Sequence, residues 1–327
     1  MRTISKRKYT RKITKKLTKK RKSLYKKGGK NILQSKTTNN WSKMNCSPIV
    51  DGKTLHTDTC ITAQIIYKLK EIYNSKYPDD KIDVTEPVTI WTQLKDKMRT
   101  CNKEDCWLGL ITDKEERDKI DKSIFAPDHP DDWKENKHEW LSNIDIEKVL
   151  KQYEEWDKRF SIIGPSPIDF DEKKNGECVT NEICNLSLKQ LSQNRKSKIS
   201  IVFNLSKSTE PGSHWVSLYI DLDDKFIFFF DSTGDKIPDE VMKLVERINK
   251  QSGNNLEYYD NHRIEHQKGT SECGVYSLYF IITMLTGKDG TNNSFNNYRD
   301  KIAYFRGKRI PDNYISEFRK KYFNSPE

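Results

Sequence analysis

The chain has 327 residues, of which 34% are hydrophobic, 33% charged and 11% aromatic, enough for one large domain or two smaller ones. Its net charge of +11 is unevenly placed: 17 of the 59 Lys and Arg fall in residues 1–50, which hold no acid, leaving 42 basic against 48 acidic residues in the rest. The longest apolar run, 275–285, is interrupted by Ser277 and Thr283. It falls short of the ~18 residues a spanning helix needs, and the basic start lacks the apolar stretch of a signal peptide. A soluble, non-secreted chain with no membrane partner is expected.

Residues 1–45 read as a basic tail, disordered and solvated because its like charges repel. Counterion release makes nucleic acid or another polyanion its natural partner. The stretch "KKGGK" at 26–30 is its most pliable point. Residues 46–135 read as a helical accessory region. In 59–77 the apolar positions Ile61, Ile65, Ile66, Leu69, Ile72 and Tyr73 have helical spacing. Val88, Trp91, Leu94 and Met98 repeat it over 87–100, behind an N-terminal proline.

Residues 136–327 form the third section. A helix over 139–156, capped by Ser142 or Asn143, leads into a proline-rich connector at 162–171. Residues 178–193 read as a helix. Strands follow at 199–205, 214–221 and 225–231, then a helix at 238–250, a strand at 256–260, an apolar helix from Cys273 to Gly287 and a final helix at 313–323. The Cys273 helix is apolar nearly all round and belongs under the sheet. Strands flanked in sequence by long helices indicate an α+β fold.

"DLDDK" between the second and third strands has the composition of a tight turn. If these strands form an antiparallel hairpin, His214 and Asp231 lie at its open end. A turn at Leu222-Asp223 sets them directly opposite; one at Asp223-Asp224 sets them diagonally. Their side chains share a face either way. A histidine held by a carboxylate is the base and orienter of a nucleophilic triad. Cys273 opens a helix, where the free N–H groups and the dipole favour a thiolate. Gly274 beside it has no side chain to hinder a substrate backbone. Gln267 and the Cys273 backbone N–H are candidate oxyanion donors.

"GSHWVSLYID", "FFFDSTG" and "HQKGTSECGVY" resemble the ubiquitin-like-protein-specific cysteine proteases, the clan that includes SUMO proteases and adenovirus-type maturation proteases. The matching elements are His214-Trp215, Asp231-Ser232, Gln267 and Glu272-Cys273-Gly274, with 17 positions from His to Asp and 6 from Gln to Cys. "EWLSNIDI" at 139–146 resembles the family's upstream Trp-Leu element, and Glu272 departs from its commoner Asp. "GPSPIDFD" and "DSTGDKIPDEV" look most like the proteases of large cytoplasmic DNA viruses.

The resemblance implies a papain-like-clan core, a mixed sheet flanked by helices, over about 136–290. It implies a cysteine endopeptidase with Cys273 as nucleophile, His214 as base, Asp231 as its orienter and Gln267 at the oxyanion. Trp215 and Gly274 would bind substrate, with Trp215 covering a narrow channel that admits Gly-Gly-type sequences. The expected task is processing of viral structural precursors during virion maturation, in the virion or the host cytoplasm. No cofactor or metal is implied; activation by DNA or a peptide stays open. A diglycine, Gly28-Gly29, ahead of such an enzyme is a candidate self-processing site. Two rivals are a deconjugating protease for a host ubiquitin-like modifier and an inactive nucleic-acid-binding scaffold.

Seven cysteines, an odd number without an export signal, read as free thiols of a reducing compartment. Cys46, Cys60, Cys101 and Cys106 are too irregularly spaced for zinc, and Cys178 and Cys184 read as packing thiols. His262 and His266 are alternative bases, with His266 expected in an exposed loop, but neither has a strand-paired carboxylate.

Overall fold

The structure, a computed structural model, describes residues 41–291 and 293–325. The basic tail up to residue 40, with its diglycine, lies outside the described residues. The accessory region holds α1 (Ala63–Lys76), α2 (Pro87–Lys97) and α3 (Lys114–Ile124). Thr62 and Glu86 cap the first two helices with side-chain oxygens, supplying partners to N–H groups that a helix start leaves open. Buried Leu69, Trp91, Leu94 and Trp107 share one apolar cluster. Glu104 sits inside it, accepting hydrogen bonds from the Trp91 indole (2.5 Å) and the Cys60 backbone (2.9 Å).

The chain then forms α4 (Asn143–Trp156), β1 (Phe160–Pro167), the two-residue β2 (Lys173–Lys174) and β3 (Glu177–Cys178), and the short helices α5 (Asn181–Cys184) and α6 (Leu188–Gln193). Next come β4 (Lys198–Asn204), β5 (Trp215–Asp221), β6 (Phe226–Phe230), α7 (Asp239–Gln251), β7 (Glu257–Asp260), α8 (Cys273–Thr286), α9 (Tyr298–Phe305), α10 (Asp312–Ser316) and α11 (Arg319–Tyr322). The main sheet has the order β1-β4-β5-β6-β7. Its outer pairs are parallel and its two inner pairs antiparallel.

Alternation along the strands makes the sheet the middle of three layers. Phe226, Phe228 and Phe230 of β6 face a core shared with α8, while Ile227 and Phe229 face a second core against α7. Residues 273–285 of α8 are all buried, as the apolar run required, and the helix ends at Gly287 with φ 71°, a left-handed stop that glycine takes without strain. This is the mixed sheet flanked by helices that the resemblance implied.

Several local readings change. The connector at 162–171 begins as a strand, because β1 lies at the sheet edge, where Pro165 removes no ladder bond. Residues 178–193 do not form one helix: α5 stops at Cys184, and Ser187 caps α6 through Gln190 N–H. The terminal helix divides into α10 and α11. The charge-rich α3 was not anticipated, since only Ile120 and Ile124 of it are buried. Nor was α9, with buried Ile302 and Phe305. The free-thiol reading also fails for six cysteines, which pair as Cys46–Cys60, Cys101–Cys106 and Cys178–Cys184, with Cα separations of 5.1, 5.6 and 6.3 Å. Turns and helix ends bring them within bridging range, which linear spacing cannot show.

The accessory region is tied to both ends of the 136–327 section. Gln152 of α4 donates to the carbonyls of Lys122 (2.9 Å) and Phe125 (2.7 Å) at the end of α3. Asn45 N–H donates to the Asn324 side-chain oxygen (2.7 Å), and the Asn324 amide donates to Asn45 O (3.0 Å) and Ala126 O (2.9 Å). The Asn324 side chain is thus satisfied by groups distant in sequence. Asn324→Ala would leave buried partners unpaired, at a cost of about 1–3 kcal/mol. We expect its melting temperature to fall by roughly 2–4 °C per kcal/mol. Scanning calorimetry of full-length protein showing no change would refute the clasp.

Candidate active site

The hairpin of β5 and β6 sets the geometry. Ser217 pairs with Phe230 and Asp221 with Phe226, so the register is that of the diagonal case. The connection is longer than a two-residue turn: it runs from Leu222 to Lys225, and Asp221 accepts the N–H groups of Asp223 and Asp224 (both 3.0 Å). His214 precedes β5 and Asp231 follows β6. Their side chains meet, with His214 Nε2 and Asp231 Oδ1 2.7 Å apart. Nε2 is thereby committed to the carboxylate, which leaves Nδ1 to serve the hydrogen bond that His214 makes with Cys273.

Asp231 is almost wholly buried (1% exposed). Burial pushes its carboxyl upward, but His214 and the Thr233 N–H and hydroxyl more than offset this, so it lies below the usual carboxylate range. Oδ1 accepts from both Thr233 groups at 2.9 and 2.8 Å. Asn261 fixes the Asp231 backbone from both sides, accepting its N–H (2.9 Å) and donating to its carbonyl (2.6 Å). For His214, burial pulls the imidazole down. The hydrogen bonds and negative charges of Asp231 and Cys273 outweigh it and raise the ring to about 10. At neutral pH this is an imidazolium.

Cys273 is the first residue of α8, the one free cysteine among the described residues, and buried. Gln267 is tied to Ser232, the residue after Asp231. The Ser232 hydroxyl donates to Gln267 Oε1 (2.7 Å), and its carbonyl accepts the N–H groups of His266 (2.9 Å) and Gln267 (2.8 Å). Gln267 Nε2 donates one hydrogen to Gly269 O (2.8 Å), and its second amide hydrogen is available to an oxyanion. Thr233 and Asn261 carry no motif signal of their own. Ser232 stood in the quoted Asp-Ser pair, but its role emerges only from the fold.

The two substrate-binding readings fare differently. Trp215 is buried in the sheet–helix core, and its indole N–H donates to Leu141 O (2.9 Å), which joins the 139–146 element to the site. At Gly274 a Cβ would stand 3.0 Å from Leu141 Cβ and 3.3 Å from Trp215 Cδ1. The missing side chain therefore lets α8 pack closely against both residues. His266 is fully buried, contrary to the exposed loop expected: Nε2 bonds Phe305 O (2.9 Å) and Nδ1 accepts Ile310 N–H (3.0 Å). Burial holds it below the ordinary histidine range. His262 Nδ1 bonds Gly234 O (3.1 Å). Neither is placed as the base.

An α+β fold carrying a histidine, a buried aspartate and a helix-opening cysteine on one face is the arrangement of a cysteine hydrolase. Residues 170–325 match the model of the Ulp1 protease family, C-terminal catalytic domain. A thiol protease of Acanthamoeba polyphaga mimivirus is 33% identical over 158 residues, 47% of this chain and 50% of that protein. A cysteine protease of African swine fever virus (isolate Tick/Malawi/Lil 20-1/1983) is 31% identical over 129 residues, 37% of this chain and 42% of that protein. The chain thus matches about half the length of these curated relatives or less. The crystal structure of the African swine fever virus protease aligns with a TM-score of 0.56 at 20% identity, covering 86% of this chain and 96% of that one; this shows the fold. Family and relatives are cysteine or thiol proteases by name, in agreement with the cysteine-type peptidase that the sequence implied.

The raised imidazole gives a direct test. We expect the His214 ring to titrate near pH 10 in nuclear magnetic resonance spectra, with the proton held below that pH and lost above it. Asp231→Asn should bring the midpoint back toward 6.5 and lower kcat by roughly 10²–10⁴-fold. A midpoint unchanged by the substitution would contradict the pairing.

Proposed function

We propose that this chain is a virus-encoded cysteine endopeptidase that cuts after small, Gly-Gly-type sequences in structural precursors during virion maturation. The observation that carries the reading is the buried Asp231–His214–Cys273 array with its high-pKa imidazole. Cys273 thiolate attacks the scissile carbonyl. The oxyanion that forms takes hydrogen bonds from Gln267 and the Cys273 backbone N–H. His214 gives its proton to the departing amine as the C–N bond breaks, leaving a thioester. It then takes a proton from water, whose oxygen attacks the thioester; the acid product leaves and Cys273 returns to the thiolate. Every step uses side chains of this chain, and none calls for a cofactor.

The viral sources of the relatives support a virus-encoded enzyme acting in the virion or the host cytoplasm. Trp215, held over the start of α8, suits a narrow approach that favours glycine before the cut bond. The basic tail would hold the enzyme on nucleic acid, and Gly28-Gly29 would be a self-processing site. A second reading is removal of a ubiquitin-like modifier, favoured by another similar protein, named the SUMO-1 cysteine protease of African swine fever virus (isolate Warthog/Namibia/Wart80/1980).

The deciding assay compares short peptides containing Gly-Gly with folded SUMO and ubiquitin fusions, using wild type and Cys273→Ala. We expect peptide turnover by the wild type and a loss of roughly 10³-fold or more in the variant. Turnover of only the folded modifiers would favour the second reading, and activity retained by Cys273→Ala would end both. Intact-mass spectra of the same two proteins test the diglycine: identical N-termini would exclude self-processing there.

A further inference from the structure

Resting on that reading, we propose that Arg319 is a positioning residue for the nucleophile: it neutralises Glu272 and fixes the loop that delivers Cys273. Arg319 lies at the start of α11, 46 positions beyond the nucleophile in the chain. Its side chain is 5% exposed, as is that of Glu272. The guanidinium uses three nitrogens on three partners. Nε donates to Glu272 Oε2 (2.8 Å), one terminal nitrogen to Glu139 O (2.7 Å) and the other to Ser271 O (2.9 Å). Its plane also lies 4.6 Å from the Trp133 ring, a favourable place for a cation.

The charge placement explains why such a residue is needed. Glu272, with its buried carboxylate, immediately precedes Cys273 in the chain, whose sulfur must carry negative charge. A like charge this near would favour the protonated thiol. Arg319 cancels that charge. The longer Glu side chain, in place of the family's commoner Asp, spans the distance to it. The same guanidinium joins the 139–141 segment, whose Leu141 carbonyl holds Trp215, to the loop before α8. Lysine could supply the charge but lacks the fork that reaches three acceptors.

Other charged groups around this point are few. His214 faces Cys273 with Asp231 behind it. His138, largely exposed, approaches Glu272 Oε1 at 3.5 Å. Asp312 bonds the Tyr276 hydroxyl further along α8 (3.2 Å). Arg319 is the buried cation in direct contact with Glu272.

The test measures alkylation of Cys273 by iodoacetamide against pH in full-length protein, alongside kcat and KM on a Gly-Gly peptide. We expect Arg319→Met to move the alkylation midpoint up by about one pH unit, so that the rate at a pH below both midpoints falls about tenfold. Glu272→Gln in the same chain should return the midpoint to within a few tenths of a unit, because the uncompensated charge is gone. kcat should fall in Arg319→Met with KM little changed. A folded Arg319→Met protein with the wild-type midpoint, or a double variant that fails to restore it, would overturn the proposal. If Arg319→Met does not fold, Arg319→Lys decides: the midpoint should stay in place while kcat drops, and a wild-type kcat would overturn the positioning role. Alkylation reads the thiol without a substrate, so it stands even if no peptide is cleaved and the peptidase reading itself fails.

Discussion

The pairing register of β5 and β6 is the constraint on which the site depends. Asp221 opposite Phe226 sends the start of one strand and the end of the next to the same sheet edge. His214 and Asp231 then meet at 2.7 Å with Nε2 committed to the carboxylate. A slip of one residue would turn either side chain to the opposite face and would also take Phe226, Phe228 and Phe230 out of the core they share with α8. The apolar alternation that stabilises the sheet is therefore the same device that aligns the base with its orienter.

The second constraint is that α8 is both core and active site. Its length is buried under the sheet, while its first residue is Cys273, the nucleophile of the proposed reaction. Gly274 allows the helix to pass tightly against Leu141 and Trp215. Packing alone would leave the loop before Cys273 under-determined. Polar anchors complete it: Ser232 holds Gln267, His266 is pinned between Phe305 and Ile310, and Arg319 gathers Glu139, Ser271 and Glu272. Buried polar groups so fully paired restrict the loop to one arrangement.

Much of this was legible because its signals are local. The α4 start at Ser142, with its reciprocal bonds to Asp145, follows from neighbouring residue types. So do the hairpin, the apolar α8 and its glycine stop. What escaped depended on partners remote in sequence. Pro165 made β1 look like a connector, and only an edge position explains the strand. α3 and α9 bury too few side chains to show a clear periodicity. The burial of His266 arises where separate segments converge, and the disulfides depend on turns and helix ends that linear spacing does not show.

The sequence by itself determined the chemistry: a cysteine at a helix start, a histidine and an aspartate on hairpin strands, and a glutamine six positions ahead of the cysteine. Residue type and periodicity were enough for that, because strand alternation and helix ends are short-range consequences of backbone geometry. The tertiary structure decided which groups hold these four in place. Ser232, Asn261 and Arg319 act through contacts across loops and elements, between residues far apart in the chain. No local pattern encodes such contacts, since they exist only once the cores have closed.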